Sequence, residues 1–91
     1  MTSSPDQLPD YAPLLQAFHA EFATELRSMI AKLPLSRGEN VLEVATGDAQ
    51  FAVWLSERVE PAGSVIAVDV SSAWLREAQK QIAATDQEVQ L

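Results

Sequence analysis

The sequence predicts an α/β fold built as a doubly wound parallel sheet. Two short apolar runs rich in β-branched residues, "NVLEVA" at 40–45 and "SVIAVDV" at 64–70, are typical of buried strands. Segments with the apolar spacing of helices precede, separate and follow them. Strands that alternate with helices pair in parallel through right-handed crossovers. The expected order is therefore helix, strand, helix, strand, helix.

The length and composition of the chain restrict its class. Its 91 residues suffice for one small domain, and 47% hydrophobic with 21% charged residues is the balance of a globular protein. A net charge of −7 without a basic cluster argues against nucleic-acid binding. The chain has no cysteine and one histidine, so we expect no metal site. It shows neither a secretion signal nor an apolar run long enough for a membrane span, so we expect a soluble, cytoplasmic protein.

The first third of the chain predicts a flexible terminus followed by one long helix. Residues 1–10 are rich in proline, serine and aspartate and are typical of a frayed end, so we place the folded domain at 11–91. Asp10 or Ala12 would cap the helix, and Pro13 suits its first turn. The positions expected on its single buried stripe are Leu14, Phe18, Phe22, Leu26, Met29 or Ile30, and Leu33.

The two later helices are also indicated by apolar spacing. The segment "AQFAVWLSERV" is expected to turn Phe51, Val53 or Trp54, Leu55 and Val59 inward, and "EPAG" ends it. Ser71 is expected to cap the last helix, whose inner face would carry Leu75, Ala78 and Ile82. The strand "SVIAVDV" is almost continuously apolar, which predicts burial on both faces.

The loop "EVATGDAQ" follows the first strand, where ligands bind in doubly wound sheets. A loop there must turn sharply, let a ligand approach its backbone and point free N–H groups at it. Gly47 is the residue most free to adopt a positive φ. Ala45 and Ala49 keep small side chains, although an alanine in a left-handed conformation costs about 1 to 2 kcal/mol.

Asp69 ends the second strand, 22 residues after Gly47. That separation is close to the spacing of about 20 at which an acidic residue meets ribose hydroxyls in nucleotide-binding βαβ units. A carboxylate can accept hydrogen bonds from both hydroxyls at once. Glycine loop, intervening helix and terminal carboxylate together predict a nucleotide-like ligand.

Structural interpretations stand beside these functional ones. Gly47 could be an ordinary turn glycine, Asp69 a solvated strand end, and Glu43 a paired carboxylate near a buried strand. Asp48 is better explained by the positive end of the following helix than by a ligand. The most economical interpretation of His19 is a surface or flanking residue. Four aromatic side chains fit the core best, although one of them, Trp74, could border an adenine pocket: Phe18, Phe22, Trp54 and Trp74.

Residues 41–81, "VLEVATGDAQFAVWLSERVEPAGSVIAVDVSSAWLREAQKQ", resemble the amino-terminal half of class I S-adenosylmethionine-dependent methyltransferases. The group related to ubiquinone and menaquinone biosynthesis is the most similar. "PAGSVIAVDVSSAWL" follows that group's "P-x-G" turn, "V-x-x-V-D-x-S" strand end and helix start, with Trp74 where methionine is usual. The family loop carries three alternate glycines, of which this chain keeps Gly47 and has Ala45 and Ala49 at the outer two.

The resemblance implies a Rossmann-like fold and a cofactor site. Glu43 and the loop around Gly47, including Ala45, would hold the methionine portion of S-adenosylmethionine, Asp69 the ribose and Val70 one face of the adenine. The full enzyme would transfer the methyl group to an unknown acceptor, expected to be a small molecule. No catalytic residue can be assigned.

The family domain has about seven strands, so the resemblance also implies a truncated domain or fragment. "EVQL" would begin a third strand, and the 91 residues alone would be inactive. A competing hypothesis is a non-catalytic αβ module that self-associates through the open edge of "VLEVA". A nicotinamide-nucleotide unit is disfavoured because the loop does not fit Gly-x-Gly-x-x-Gly.

Overall fold

The computed structural model describes residues 6–91 and confirms the α/β class and a Rossmann-like arrangement around a small parallel sheet. The part of the expected flexible terminus before residue 6 lies outside the described residues. The elements are α1 Ala12–Glu21, α2 Ala23–Ala31, β1 Asn40–Val44, α3 Gln50–Val59, β2 Ser64–Val68 and α4 Ser72–Ala83. Within residues 6–91, no helix combines the length and apolar character needed to cross a membrane.

The two strands pair in parallel, with the register running from Asn40 opposite Ser64 to Val44 opposite Val68. Helix α3 makes the crossover between them. Beyond α4 the chain returns to the outer edge of β2. There the backbone N–H of Gln90 donates to Val65 O at 3.0 Å, and its backbone carbonyl accepts from Ala67 N at 2.8 Å. The "EVQL" segment therefore adds a single parallel bridge at the position expected of a third strand.

The core lies on one face of this sheet, with α3 at its centre. Its buried members are Ala49, Ala52, Leu55, Val59, Val65, Ala67 and Ala78. The expected inward positions Leu55, Val59 and Ala78 are confirmed, as is burial of Trp54 and Trp74. Ser71 caps α4 as expected, because its hydroxyl accepts from Trp74 N at 3.1 Å.

The prediction that β2 is buried on both faces is wrong. Only Val65 and Ala67 are buried, whereas Ile66 and Val68 point to the opposite face and are exposed. On β1 the same exposed face carries Leu42 and Val44, at 63% and 71% exposure; we call these four residues the open face. The reason is that α3 and α4 both pack on the Val65 side, so a continuous apolar run here reflects only one covered face.

The single amino-terminal helix was also wrong, because the chain breaks at Phe22 (φ −106°, ψ 22°) into α1 and α2. Neither Asp10 nor Ala12 precedes α1 as its cap residue; Tyr11 does. Of the expected stripe, Leu26 is buried and Ile30 half-buried, while Leu14, Phe18, Phe22, Met29 and Leu33 are exposed. The bend lets α2 pack against α3 and rotates α1 so that a different side, including Ala12 and His19, faces the domain.

The connection into β1 is held by residues at the carboxyl-terminal end of α3. The Arg58 guanidinium on α3 donates to the carbonyls of Ile30, Leu33 (3.1 Å) and Leu35 (2.8 Å), which satisfies the end of α2 and the turn that follows. Gly63 lies where α3 approaches the strand starts, and its N–H donates to Val59 O at 2.9 Å.

Gly63 should not tolerate a side chain. A Cβ there would lie 2.2 Å from Glu39 O and 2.8 Å from Val59 Cβ. We expect Gly63→Ala to lower the free energy of unfolding by more than about 2 kcal/mol, measured by urea denaturation. Ala62→Ser, at the exposed neighbouring position, is the matched control and should change it by less than about 0.5 kcal/mol. A Gly63→Ala protein as stable as the parent would contradict this packing.

Candidate functional site

The loop between β1 and α3 lies at the carboxyl ends of both strands. Thr46 N donates to Val68 O at 2.9 Å, and Ala49 N donates to Thr46 O at 3.0 Å, so the loop folds back over the end of β2. Three alternate residues adopt positive φ angles: Ala45 at +60°, Gly47 at +58° and Ala49 at +66°. The two alanines therefore follow the backbone path for which glycine is the usual residue, and they carry its steric cost.

Asp69 meets this loop directly. Its Oδ2 accepts from Gly47 N at 2.9 Å and its Oδ1 accepts from Ser71 N at 2.8 Å. The structure thus joins the two sequence features, the loop and the strand-end carboxylate, through one hydrogen bond. Carboxylates that accept from backbone N–H groups form strong, charge-assisted bonds, so this contact fixes the relative position of the two strand ends.

A cleft of about 530 Å³ opens beside this bond. Four of the five predicted site residues line it: Ala45, Gly47, Asp69 and Val70. Val70 is 96% exposed, and a Cβ built on Gly47 would meet nothing within 4 Å, so a ligand can approach both positions. The rest of the lining comes from the amino-terminal segment, α1, and the cap and first turn of α4: Gln7, Pro9, Tyr11, Leu15, Ser71 and Trp74.

Glu43, the fifth predicted residue, lies behind the loop and not on the cleft wall. Its carboxylate accepts from the Thr46 hydroxyl and is partly buried. Burial is the largest effect on Glu43 and raises the pKa of its carboxyl group. The Thr46 hydrogen bond lowers this pKa, the negative charge of Asp48 raises it, and His19 lowers it. Glu43 therefore supports the loop and adds negative charge beneath it.

Sequence reasoning missed the partner of Asp48. His19 Nδ1 lies 3.4 Å from Asp48 Oδ2, with the two side chains 13% and 9% exposed. His19, expected as a surface or flanking residue, is partly buried beside the loop, because the bend at Phe22 turns that side of α1 toward it. The expected role of Asp48 at the start of α3 is confirmed, since its Oδ1 accepts from Gln50 N at 3.1 Å.

A second, larger hollow of about 620 Å³ lies near the opposite end of β2. It is lined by carboxylates such as Glu60, Asp86 and Glu88 and has no left-handed loop. Within residues 6–91, no group of three or more histidine or acidic side chains could hold a metal ion. The cleft at Asp69 is therefore the better candidate site, because it combines an exposed backbone, an apolar surface and an oriented carboxylate.

The two left-handed alanines should respond differently to glycine. Ala45 is exposed, so Ala45→Gly relieves the backbone strain and should raise the free energy of unfolding by about 0.5 to 1 kcal/mol. Ala49 is fully buried, so the loss of its packed methyl group, worth about 0.8 kcal/mol, should cancel most of the same gain in Ala49→Gly. Paired urea denaturation measures the difference. Equal effects of the two substitutions would contradict the assigned loop geometry.

Comparison with known proteins was consistent with this geometry. A family model described as "Methyltransferase domain" matches residues 41–91, which is more than half of the chain and includes the loop, Asp69 and α4. No curated protein matches the chain. Methyl transfer is the chemistry of this family, and S-adenosylmethionine is its general cofactor. The chain belongs to the methyltransferase domain family.

Proposed function

We propose that this chain binds S-adenosylmethionine in the cleft beside Asp69, as the cofactor-binding portion of a methyltransferase that acts on a small molecule. The ubiquinone and menaquinone biosynthesis group is the proposed subgroup. The observation that carries the proposal is the 2.9 Å bond from Gly47 N to the Asp69 carboxylate. It places a loop open to close approach and a strand-end acid at one cleft, where a nucleoside and its amino-acid tail can be held together.

The adenosine half is assigned to Asp69 and Val70. Each Asp69 oxygen accepts one backbone N–H and retains a lone pair, so the two ribose hydroxyls can donate to it. Val70 follows directly and exposes an apolar surface against which an adenine ring can lie. Trp74 lines the same cleft from the first turn of α4 and is itself buried, which gives that end a rigid apolar wall.

The methionine half is assigned to the loop. Ala45 and Gly47 present backbone to the cleft without a large side chain, and Glu43 lies behind them. The carboxylates of Glu43, Asp48 and Asp69 make this end of the sheet negative, which favours a ligand carrying sulfonium and ammonium charges. The cofactor supplies an activated methyl group; the protein orients it and excludes water, since alignment is the main demand of an in-line transfer.

A dinucleotide fits this loop less well. The backbone N–H groups at the start of α3 would have to bind a pyrophosphate. Gln50 N already donates to the Asp48 carboxylate, which is buried at that position. A second anion at that position would meet the Asp48 charge at short range. This repulsion, added to the lack of Gly-x-Gly-x-x-Gly, favours the sulfonium cofactor over nicotinamide nucleotides.

The test is a calorimetric titration of the chain with S-adenosylhomocysteine, with NAD as the comparison ligand. We expect binding of S-adenosylhomocysteine that weakens at least about tenfold in Asp69→Ala, the size expected for hydrogen bonds to a charged group. Asp86→Ala is the matched control, because Asp86 is an exposed acid of the other hollow, and it should bind as the parent does.

Asp69→Ala also removes the acceptor for Gly47 N and Ser71 N, so thermal unfolding must show that the variant is folded at the titration temperature. Asp69→Asn, which keeps one acceptor oxygen, should bind with intermediate affinity. Equal binding by the parent and a folded Asp69→Ala protein, or a preference for NAD, would overturn the proposal.

A second candidate is a non-catalytic module that self-associates through the free edge of β1. The open face favours it, because Leu42 and Val44 leave apolar surface beside an edge whose backbone groups can pair with another strand. We expect concentration-dependent dimers by sedimentation velocity and their loss in Leu42→Lys. A parent protein that stays monomeric at millimolar concentration would contradict this candidate.

A further inference from the structure

His19 holds a position that the cofactor site alone does not explain. It belongs to α1, about thirty residues before the loop in the sequence. Its ring centroid nevertheless lies 5.4 Å from that of Phe51 and 6.5 Å from that of Trp54, both on α3. Its Nδ1 is the one buried side-chain polar atom within residues 6–91 that has no hydrogen-bond partner. A buried polar atom without a partner is costly and needs an explanation.

The Asp48 carboxylate lies 3.4 Å from that nitrogen. Asp48 also accepts from Gln50 N, so one carboxylate connects α1 to the first residue of α3. Gly47, the residue before Asp48, donates to Asp69. His19 therefore contacts Asp48, which directly follows Gly47 in the chain. Gly47 in turn makes the hydrogen bond to Asp69 that joins the two halves of the cleft.

We propose that His19 is a positioning residue that holds the loop through Asp48, so that cofactor affinity falls as the imidazole loses its proton. This inference rests on the proposed function. With the proton present, His19 and Asp48 form a charge-assisted pair in a site shielded from solvent, which fixes the start of α3 and the amide of Gly47. Without it, the pair loses its charge attraction and Asp48 is left beside the negative Glu43.

Other charged groups also lie around His19, but among the described contacts Asp48 is the acid that joins it to the first residue of α3. From the strand side, Glu43 interacts with it, since His19 lowers the pKa of Glu43 against the larger effect of burial. From α4, Glu77 and Lys80 line the same hollow of about 350 Å³, but they pair with each other at 2.9 Å and Lys80 is largely exposed. From α3, Glu57 pairs with Arg27 of α2.

The test compares the affinity for S-adenosylhomocysteine at about pH 6 and about pH 8, because histidine is the side chain whose charge can change across this range. In the parent we expect binding to weaken by about three- to tenfold across this range, less than for the loss of a direct hydrogen bond to a charged group, because His19 acts on the cofactor only through the loop. His19→Gln and Asp48→Asn should each remove the pH dependence, and the double variant should behave as either single variant does. Lys80→Gln removes a cation from the same hollow and is the matched control; it should keep the parental profile.

A second readout needs no ligand. In an NMR titration of the free chain, the amide shifts of Gly47 and Gln50 should follow the ring-proton shifts of His19 with one midpoint, and Asp48→Asn should uncouple them. If the parent binds no S-adenosylhomocysteine but the amides still follow His19, the cofactor assignment fails and the positioning role stands. Amides that do not follow the ring, or parallel pH profiles in the parent and His19→Gln, would overturn the positioning role.

Discussion

The hydrogen bond from the Gly47 amide to the Asp69 carboxylate is the contact on which the candidate site depends. It exists because β1 and β2 are parallel and in register, so their carboxyl ends reach the same edge of the sheet. The α3 crossover keeps that register by burying Ala52, Leu55 and Val59 against β2. Core packing on one face of the sheet thereby fixes the distance between the loop and the acid.

The loop bears the energetic cost of this arrangement. Ala45 and Ala49 hold left-handed conformations, and Glu43 and Asp48 bring negative charge into a partly buried space. The two charges are offset locally. The Thr46 hydroxyl donates to Glu43, Gln50 N donates to Asp48, and His19 lies within ion-pair distance of Asp48. A site that is strained, negative and still open at Gly47 and Val70 suits a cationic ligand better than an anionic one.

The sequence predicted the features that local patterns determine. Apolar runs located both strands and the Ser71 cap located α4. The separation between Gly47 and Asp69 assigned both residues to one site, and the structure brings them together because parallel strand ends lie side by side. Features that depend on contacts between distant parts of the chain could not be predicted from these local patterns. The bend at Phe22 and the partial burial of His19 depend on contacts with α3, and the open face depends on which side of the sheet the helices cover. Positive φ at two alanines is a tertiary constraint that overrides residue preference.

The most direct test of cofactor binding at Asp69 is a crystal structure of the chain with S-adenosylhomocysteine bound. We expect the ribose hydroxyls to lie within hydrogen-bonding distance of Asp69, the adenine to lie against Val70, and the hydrogen bond from Gly47 to Asp69 to persist. A ligand seated in the hollow near Asp86 and Glu88, or a loop that leaves Asp69 when the ligand binds, would contradict it.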